Sequence, residues 1–453
     1  MKTAHFNIRE HTVPTCHIRE YARATAEDQE DELHLAVKQY TPWQSSNKKQ
    51  RGVTIIGAHA NGFPKELYEP LWDDLYERLE ARNIHIRNIF IADVSQQGQS
   101  GVLNEHKLGN DPSWMDHPRD LLMMVNYFKK DMKRPIIGIG HSMGGNNLIN
   151  LSLMHPRLFT TLVLIDPVIQ RLPSVQGNFR PAKASTIRRD RWPSRRNAEA
   201  AFKRSKFYKT WDPRVLERWI DHGLRELPTL LHPEVSTAKT TLPTVSADPS
   251  TASVQPDKYT EREVTLKTTK HQEVFTFSRP NFPSPTYPSP STDPNPITHP
   301  DVDLETAPVA PFYRPEPLAT FRRLPHVRPS VFYIFGDQSD LSAPLLKADK
   351  LAQTGIGVGG SGGLKKGRVA EVTFKGVGHL IPMEVVDKTA DAVTGWVVRE
   401  LERWQTIEDA ERAEWEQIPM HLRSQFSDAF KRTMTGDWDS QVKDRGTIEP
   451  SKL

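Results

Sequence analysis

Pro135-Ile136-Ile137-Gly138-Ile139-Gly140-His141-Ser142-Met143-Gly144 is the stretch that decides how this chain is read. An apolar, β-branched run ends in two glycines that bracket a serine, and Gly145 to Leu153 continue as a helix. A serine between a strand and a helix in the pattern G-x-S-x-G sits on a strained turn. Glycines stand on either side because strand and helix approach too closely for larger side chains. The motif alone is common, so its neighbours must carry the argument.

Two further segments supply them. Ser330-Val331-Phe332-Tyr333-Ile334-Phe335 reads as a buried strand by its aromatic and β-branched content, and it runs into the loop Gly336-Asp337-Gln338-Ser339-Asp340-Leu341-Ser342. Val369 to Phe374 reads as another strand, followed by Gly376-Val377-Gly378-His379-Leu380. His379, on a short glycine-bounded loop after the last strand, is placed to act as general base toward Ser142. Upstream, Gly52 to Gly57 forms a short buried strand leading into Ala58-His59-Ala60-Asn61-Gly62-Phe63. A strand over Ile84 to Ala92 ends in Asp93-Val94-Ser95-Gln96-Gln97-Gly98-Gln99-Ser100, a structural marker rather than a catalytic one.

With these residues in hand the chain resembles a serine α/β-hydrolase. More narrowly it resembles fungal peroxisomal α/β-hydrolases, a group that includes enzymes of host-selective toxin biosynthesis. His59-Ala60-Asn61-Gly62-Phe63-Pro64-Lys65-Glu66, the serine turn, Gly336 to Ser342 and Gly378-His379 carry the resemblance, which covers about 20–225 and 320–400. It implies an α/β fold with a mostly parallel central sheet flanked by helices and a helical cap inserted after the sixth strand, Thr161 to Ile165. It also implies hydrolysis or transfer of an acyl ester or thioester of a lipid-like molecule.

In that fold, the loop after the third strand and the residue after the nucleophile supply backbone amides to the oxyanion, which points to Asn61 and Met143. The acid is expected at Asp340, because Gly336-x-x-Ser339-Asp340 matches the seventh-strand loop of many relatives. Asp337 shares that loop, and Asp166 follows the sixth strand, a position that serves as the acid in some members. Ser142 attack, an acyl-enzyme and its release by water or another acceptor then follow; no metal or cofactor is needed. Three readings stay open: an ester or thioester hydrolase, an acyltransferase with the same triad, and a non-catalytic binding protein that keeps the fold.

The rest of the chain bounds the setting. A net charge of +4 over 453 residues is too small to imply nucleic-acid binding. The single cysteine, Cys16, fits a reducing compartment, and the amino end lacks the apolar stretch of a secretory signal. No run approaches the roughly 18 apolar residues of a membrane span. Ser451-Lys452-Leu453 reads as a peroxisomal address, which implies the import receptor as a partner.

Four regions are expected: 1–167 and 326–420 as the two parts of the core, 168–325 as the cap, and 421–453 as a tail. Between Pro228 and Pro317 lie 17 of the 36 prolines, and Ser236–Lys258 and Ser284–Pro300 lack apolar periodicity, so both read as loops. Between them, Val264–Lys270 and Glu273–Phe277 are expected to pair as a short hairpin or to form a return segment. Arg188 to Lys206 carries eight basic residues against Asp190 and Glu199. It reads as a solvated helix face, or as a basic lid in which Arg195 and Arg196 meet a phosphate-bearing acyl carrier. Glu400 to Gln417 reads as an amphipathic helix.

Overall fold

Eight strands form one sheet in the computed structural model, which describes residues 3–43, 52–172, 179–233, 262–304 and 311–436. They are β1 (Phe6–Pro14), β2 (His34–Pro42), β3 (Gly52–Ala58), β4 (His85–Ala92), β5 (Ile136–His141), β6 (Thr161–Ile165), β7 (Ser330–Gly336) and β8 (Val369–Phe374). The order is β1-β2-β4-β3-β5-β6-β7-β8. The pairs β1–β2 and β2–β4 are antiparallel and the others parallel. Strand composition follows from this topology. The central strands β3, β5, β6 and β7 are buried along their whole length and read as nearly continuous apolar runs, whereas the edge strand β1 mixes exposed, half-buried and buried residues. Each buried Ile or Leu side chain contributes roughly 1.5–3 kcal/mol to folding.

Helices α1 (Glu69–Glu80), α2 (Asp116–Tyr127) and α3 (Met143–Met154) connect the first strands. Leu148, Ile149 and Leu151 of α3 pack in one core with Leu162, Leu164, Tyr333 and Phe335 of the sheet. The residues cluster into two units, 1–400 and 401–453. A helix over Val386–Glu416 crosses that division, so the helix expected from Glu400 begins well before it. Among the described residues no helix is long and apolar enough to cross a membrane.

Between β6 and β7 the chain builds α4 (Arg180–Ile187), α5 (Arg195–Arg204), α6 (Pro213–His222), α7 (Lys270–Phe277) and α8 (Glu316–Arg323). A small antiparallel sheet joins Arg191–Trp192, Val264–Leu266 and Leu224–Glu226. The hairpin expected from Val264–Lys270 and Glu273–Phe277 does not form: Val264–Leu266 is a strand of this small sheet, and Glu273–Phe277 lies in α7. Thr269 Oγ1 accepts from the Gln272 amide and starts α7 there, so the β-branched run Val274 to Phe277 is helical despite its strand-like composition. Ser284–Pro300 forms turns without helix or strand. The other proline-rich stretch, Ser236–Lys258, lies outside the described residues, as does Ser451-Lys452-Leu453.

Within Arg188 to Lys206, the Arg195 guanidinium donates to the carbonyls of Ile220, Asp221 and Leu224. It caps the carboxyl end of α6, where a cation is favoured, so its placement is accounted for without the acyl carrier of the lid reading.

Candidate active site

Ser142 has φ 58° and ψ −119°, a left-handed conformation that an L-residue adopts only when its surroundings enforce it. The flanking glycines show the enforcement. A Cβ on Gly144 would lie 2.1 Å from the Ala58 carbonyl oxygen, and one on Gly140 would lie 2.6 Å from the Gly144 carbonyl oxygen. The turn is fixed from the other side by the Ser142 amide, which donates to the Ile165 carbonyl at 2.9 Å.

The loop after β8 brings His379 to this serine. Ser142 Oγ lies 2.9 Å from His379 Nε2, and His379 Nδ1 lies 2.6 Å from Asp166 Oδ2. Acceptance by the buried carboxylate fixes the proton on Nδ1, which leaves Nε2 to accept from the serine hydroxyl.

The expected acid, Asp340, is not at the histidine; Asp166 is. Asp340 opens a single 3₁₀ turn, Asp340–Ser342, capped by Ser339, and its side chain is exposed. In such a turn positions three apart share a face, so Ser339 and Ser342 point inward together while Asp340 points out. Both hydroxyls donate to the Asp166 carboxylate, Ser339 at 2.5 Å and Ser342 on the other oxygen. Asp337 is also exposed and accepts from the Gly376 amide at 2.7 Å. Burial alone would raise the fully enclosed Asp166 carboxyl. The hydrogen bond and charge of His379, with the two serine hydroxyls, outweigh that and hold it below the usual carboxylate range.

In the loop after β3, three of the four amides from Ala60 to Phe63 are committed. Ala60 donates to Tyr68 Oη at 2.9 Å, Gly62 to Gln97 Oε1 at 2.8 Å and Phe63 to the Ala60 carbonyl at 3.2 Å. The Asn61 amide remains in that set. Met143 opens α3, where the first amides have no carbonyl a turn behind them and the helix end favours negative charge. Asn61, Met143, Ser142 and His379 all line one cavity of about 460 Å³. Its walls are largely apolar, with Phe63, Trp114, Val168, Phe207, Phe277 and Leu341. The cap contributes Arg188, which pairs with the buried Glu273 at this wall.

Sequence reasoning passed over His141 and Tyr68. His141 Nε2 faces the His379 carbonyl at 2.9 Å and its Nδ1 faces Tyr68 Oη at 3.0 Å. A carbonyl only accepts, so Nε2 carries the proton and Nδ1 accepts the tyrosine's. In the sequence Ser339 and Ser342 are distinguished only by their spacing of three beside a strand end.

A sequence model described as the Alpha/beta hydrolase family matches residues 55–392. The chain belongs to the α/β-hydrolase family. It is 41% identical over 417 residues to the "Type I acyl-CoA thioesterase mpaH" of Penicillium roqueforti, covering 90% of this chain and 91% of that protein. The "Type I acyl-CoA thioesterase mpaH'" of Penicillium brevicompactum is 43% identical over 418 residues, with the same coverage. An Alternaria alternata protein, "Abhydrolase domain-containing protein AFT2-1", is 27% identical over 270 residues, 59% of this chain and 85% of its own length. Among solved structures, the peroxisomal alpha-beta-hydrolase Lpx1 of Saccharomyces cerevisiae superposes with a TM-score of 0.62 at 15% identity, covering 98% of this chain and 100% of that one. That likeness shows the α/β-hydrolase fold. The resemblance to fungal α/β-hydrolases noted in the sequence is therefore borne out.

Proposed function

We propose that this chain is a thioesterase that hydrolyses an acyl-coenzyme A in fungal secondary metabolism, through an acyl-enzyme on Ser142. One observation carries the reading: a serine, histidine and buried carboxylate in hydrogen-bonded sequence open into an apolar cavity. Identity above 40% across nine-tenths of the chain to acyl-CoA thioesterases supports the substrate class.

Each group has a role its chemistry allows. Ser142 Oγ attacks the thioester carbonyl while His379 Nε2 takes its proton. Asp166 holds the imidazole and balances its charge as it becomes imidazolium. The carbonyl oxygen, now an anion, takes hydrogen bonds from the Asn61 and Met143 amides, where one donor is worth about 2.7–4 kcal/mol. His379 then returns the proton to the departing thiolate. Water, deprotonated by the same nitrogen, releases the acid from Ser142. The apolar cavity receives the acyl chain.

We further propose a peroxisomal site of action, on the import address Ser451-Lys452-Leu453. A fluorescent fusion that stays cytosolic in fungal cells would refute this part alone. The activity is tested by thiol release from acyl-coenzyme A of graded chain length. Turnover that vanishes in Ser142→Ala is expected; equal turnover in the variant would refute the proposal.

A further inference from the structure

The loop after β4 is a structural marker in the sequence, yet one of its side chains reaches the loop that carries Asn61. Gln97 is fully buried. Its Oε1 accepts from the Gly62 amide at 2.8 Å, and its Nε2 donates to Asn61 Oδ1 at 2.7 Å and to Thr276 Oγ1 of α7 at 3.1 Å. Asn61 continues the line, with Nδ2 donating to the Glu273 carbonyl at 3.0 Å.

The direction of this line is determined at both ends. A backbone amide can only donate, so the Gln97 oxygen must face Gly62. A backbone carbonyl can only accept, so the Asn61 nitrogen must face Glu273. Between them, Gln97 Nε2 and Asn61 Oδ1 meet as donor and acceptor with no alternative orientation. The Asn61 side chain is thereby held at both of its polar atoms, one by the core and one by the cap. The platform beneath Gln97 is equally committed. The Gly98 amide donates to Thr268 Oγ1 at 2.8 Å, and Asp93 accepts from the Gln99 amide and from Lys65 Nζ.

We propose that Gln97 is a positioning residue for the oxyanion site, aiming the Asn61 backbone amide and making that aim depend on the docked cap helix α7. This rests on the reading of Asn61 and Met143 as the oxyanion donors. A carboxylate in place of the amide tests it with little change of shape. Gln97→Glu keeps an acceptor for Gly62 but sets its second oxygen against Asn61 Oδ1. If Asn61 turns over to relieve that contact, its own oxygen meets the Glu273 carbonyl. Either arrangement shifts the Asn61 backbone, and a displacement near 1 Å costs on the order of 10²-fold in rate.

The experiment uses the full chain, a p-nitrophenyl ester and two inhibitors with the same acyl chain. One is a trifluoromethyl ketone, which forms a tetrahedral oxyanion adduct with a serine. The other is a thioether with a methylene in place of the carbonyl, which fills the cavity without an oxyanion. In Gln97→Glu we expect kcat to fall by about 10- to 100-fold, with KM within about threefold of wild type. The ketone should weaken by the factor seen in kcat and the thioether should bind unchanged. Thr276→Val, which removes the bonds from Gln97 and Gln96 to α7 but leaves that of Asn61 to the Glu273 carbonyl, should weaken the ketone alone by a few fold. If Gln97→Glu does not fold, Gln97→Met serves the same comparison.

Wild-type kcat and ketone affinity in a folded Gln97 variant would overturn the proposal. Parallel loss of ketone and thioether binding would also overturn it, since that marks a deformed cavity. A wild-type protein that the ketone fails to inhibit would instead bring down the underlying reading of Ser142, and this proposal with it.

Discussion

His141 Nε2 donates to the backbone carbonyl of His379 across 2.9 Å, so the residue before the nucleophile also holds the loop that carries the base. The line continues through Tyr68, whose hydroxyl donates to His141 Nδ1 and accepts from the Ala60 amide. The serine turn, the histidine loop and the loop after β3 are thus tied by one set of hydrogen bonds. Tyr68→Phe leaves a buried amide and a buried ring nitrogen unpaired, at about 1–3 kcal/mol each. The expected outcome is a lower urea midpoint together with a lower kcat, read on the same preparation.

The same pair sets a pH dependence of stability. Burial, and then the neighbouring His379, push the His141 imidazole down to about 3. Unfolded, it titrates near 6.5, so between these values the unfolded chain binds the extra proton and folding weakens as pH falls. From pH 6.5 to 5 this one group removes about 1.6 kcal/mol. His222, pushed down to about 4 chiefly by burial, adds in the same direction. Denaturant midpoints should therefore drop over that range, and His141→Gln, which keeps a donor for the His379 carbonyl, should flatten the drop. An unchanged slope in the variant would exclude His141 as its source.

The identity of the acid is decided by two substitutions. Asp166→Ala should lower kcat by about four orders of magnitude, by analogy with other serine–histidine–aspartate triads. Asp340→Ala, at an exposed position, should stay within about twofold of wild type. The reverse pattern would restore Asp340 to the role expected from the sequence.

Ser339 and Ser342 steady the same carboxylate. A hydrogen bond to a charged group is worth about 1.5–3 kcal/mol, so Ser339→Ala with Ser342→Ala should lower both kcat and the urea midpoint at pH 7. A carboxyl held below the ordinary range contributes its stability above about pH 4 and loses it as the pH falls further. The gap in midpoint between variant and wild type should narrow below about pH 4. A gap independent of pH would mean that the hydroxyls act through packing alone.

Arg195 provides a test of the cap. Its guanidinium is engaged with the carbonyls of Ile220, Asp221 and Leu224, so Arg195→Met should lower the melting temperature. KM for acyl-coenzyme A should stay near that of wild type. A selective rise in KM for thioesters over p-nitrophenyl esters would instead return Arg195 to substrate binding.

These residues also show where sequence reading reached and where it stopped. The serine turn, the strands β3 to β8 and His379 announce themselves through local patterns, because β-branched and aromatic runs mark strands and a crowded turn admits few residue types. The acid does not. Asp166 and Asp340 both follow β-strands, and only the inward turn of Ser339 and Ser342 distinguishes the buried carboxylate from the exposed one. Gln97, Tyr68 and His141 are equally silent, since their partners lie far away in sequence and no periodicity marks a polar side chain that spans two loops. The helix at Lys270–Phe277 was hidden for a related reason: one capping threonine outweighs a strand-like composition.

The most direct test is mass spectrometry of the enzyme quenched in acid during turnover of an acyl-coenzyme A. A covalent acyl group on the peptide that contains Ser142, absent from Ser142→Ala, is the predicted result. Rapid turnover with no adduct at any quench time, or an adduct on a different residue, would contradict the account.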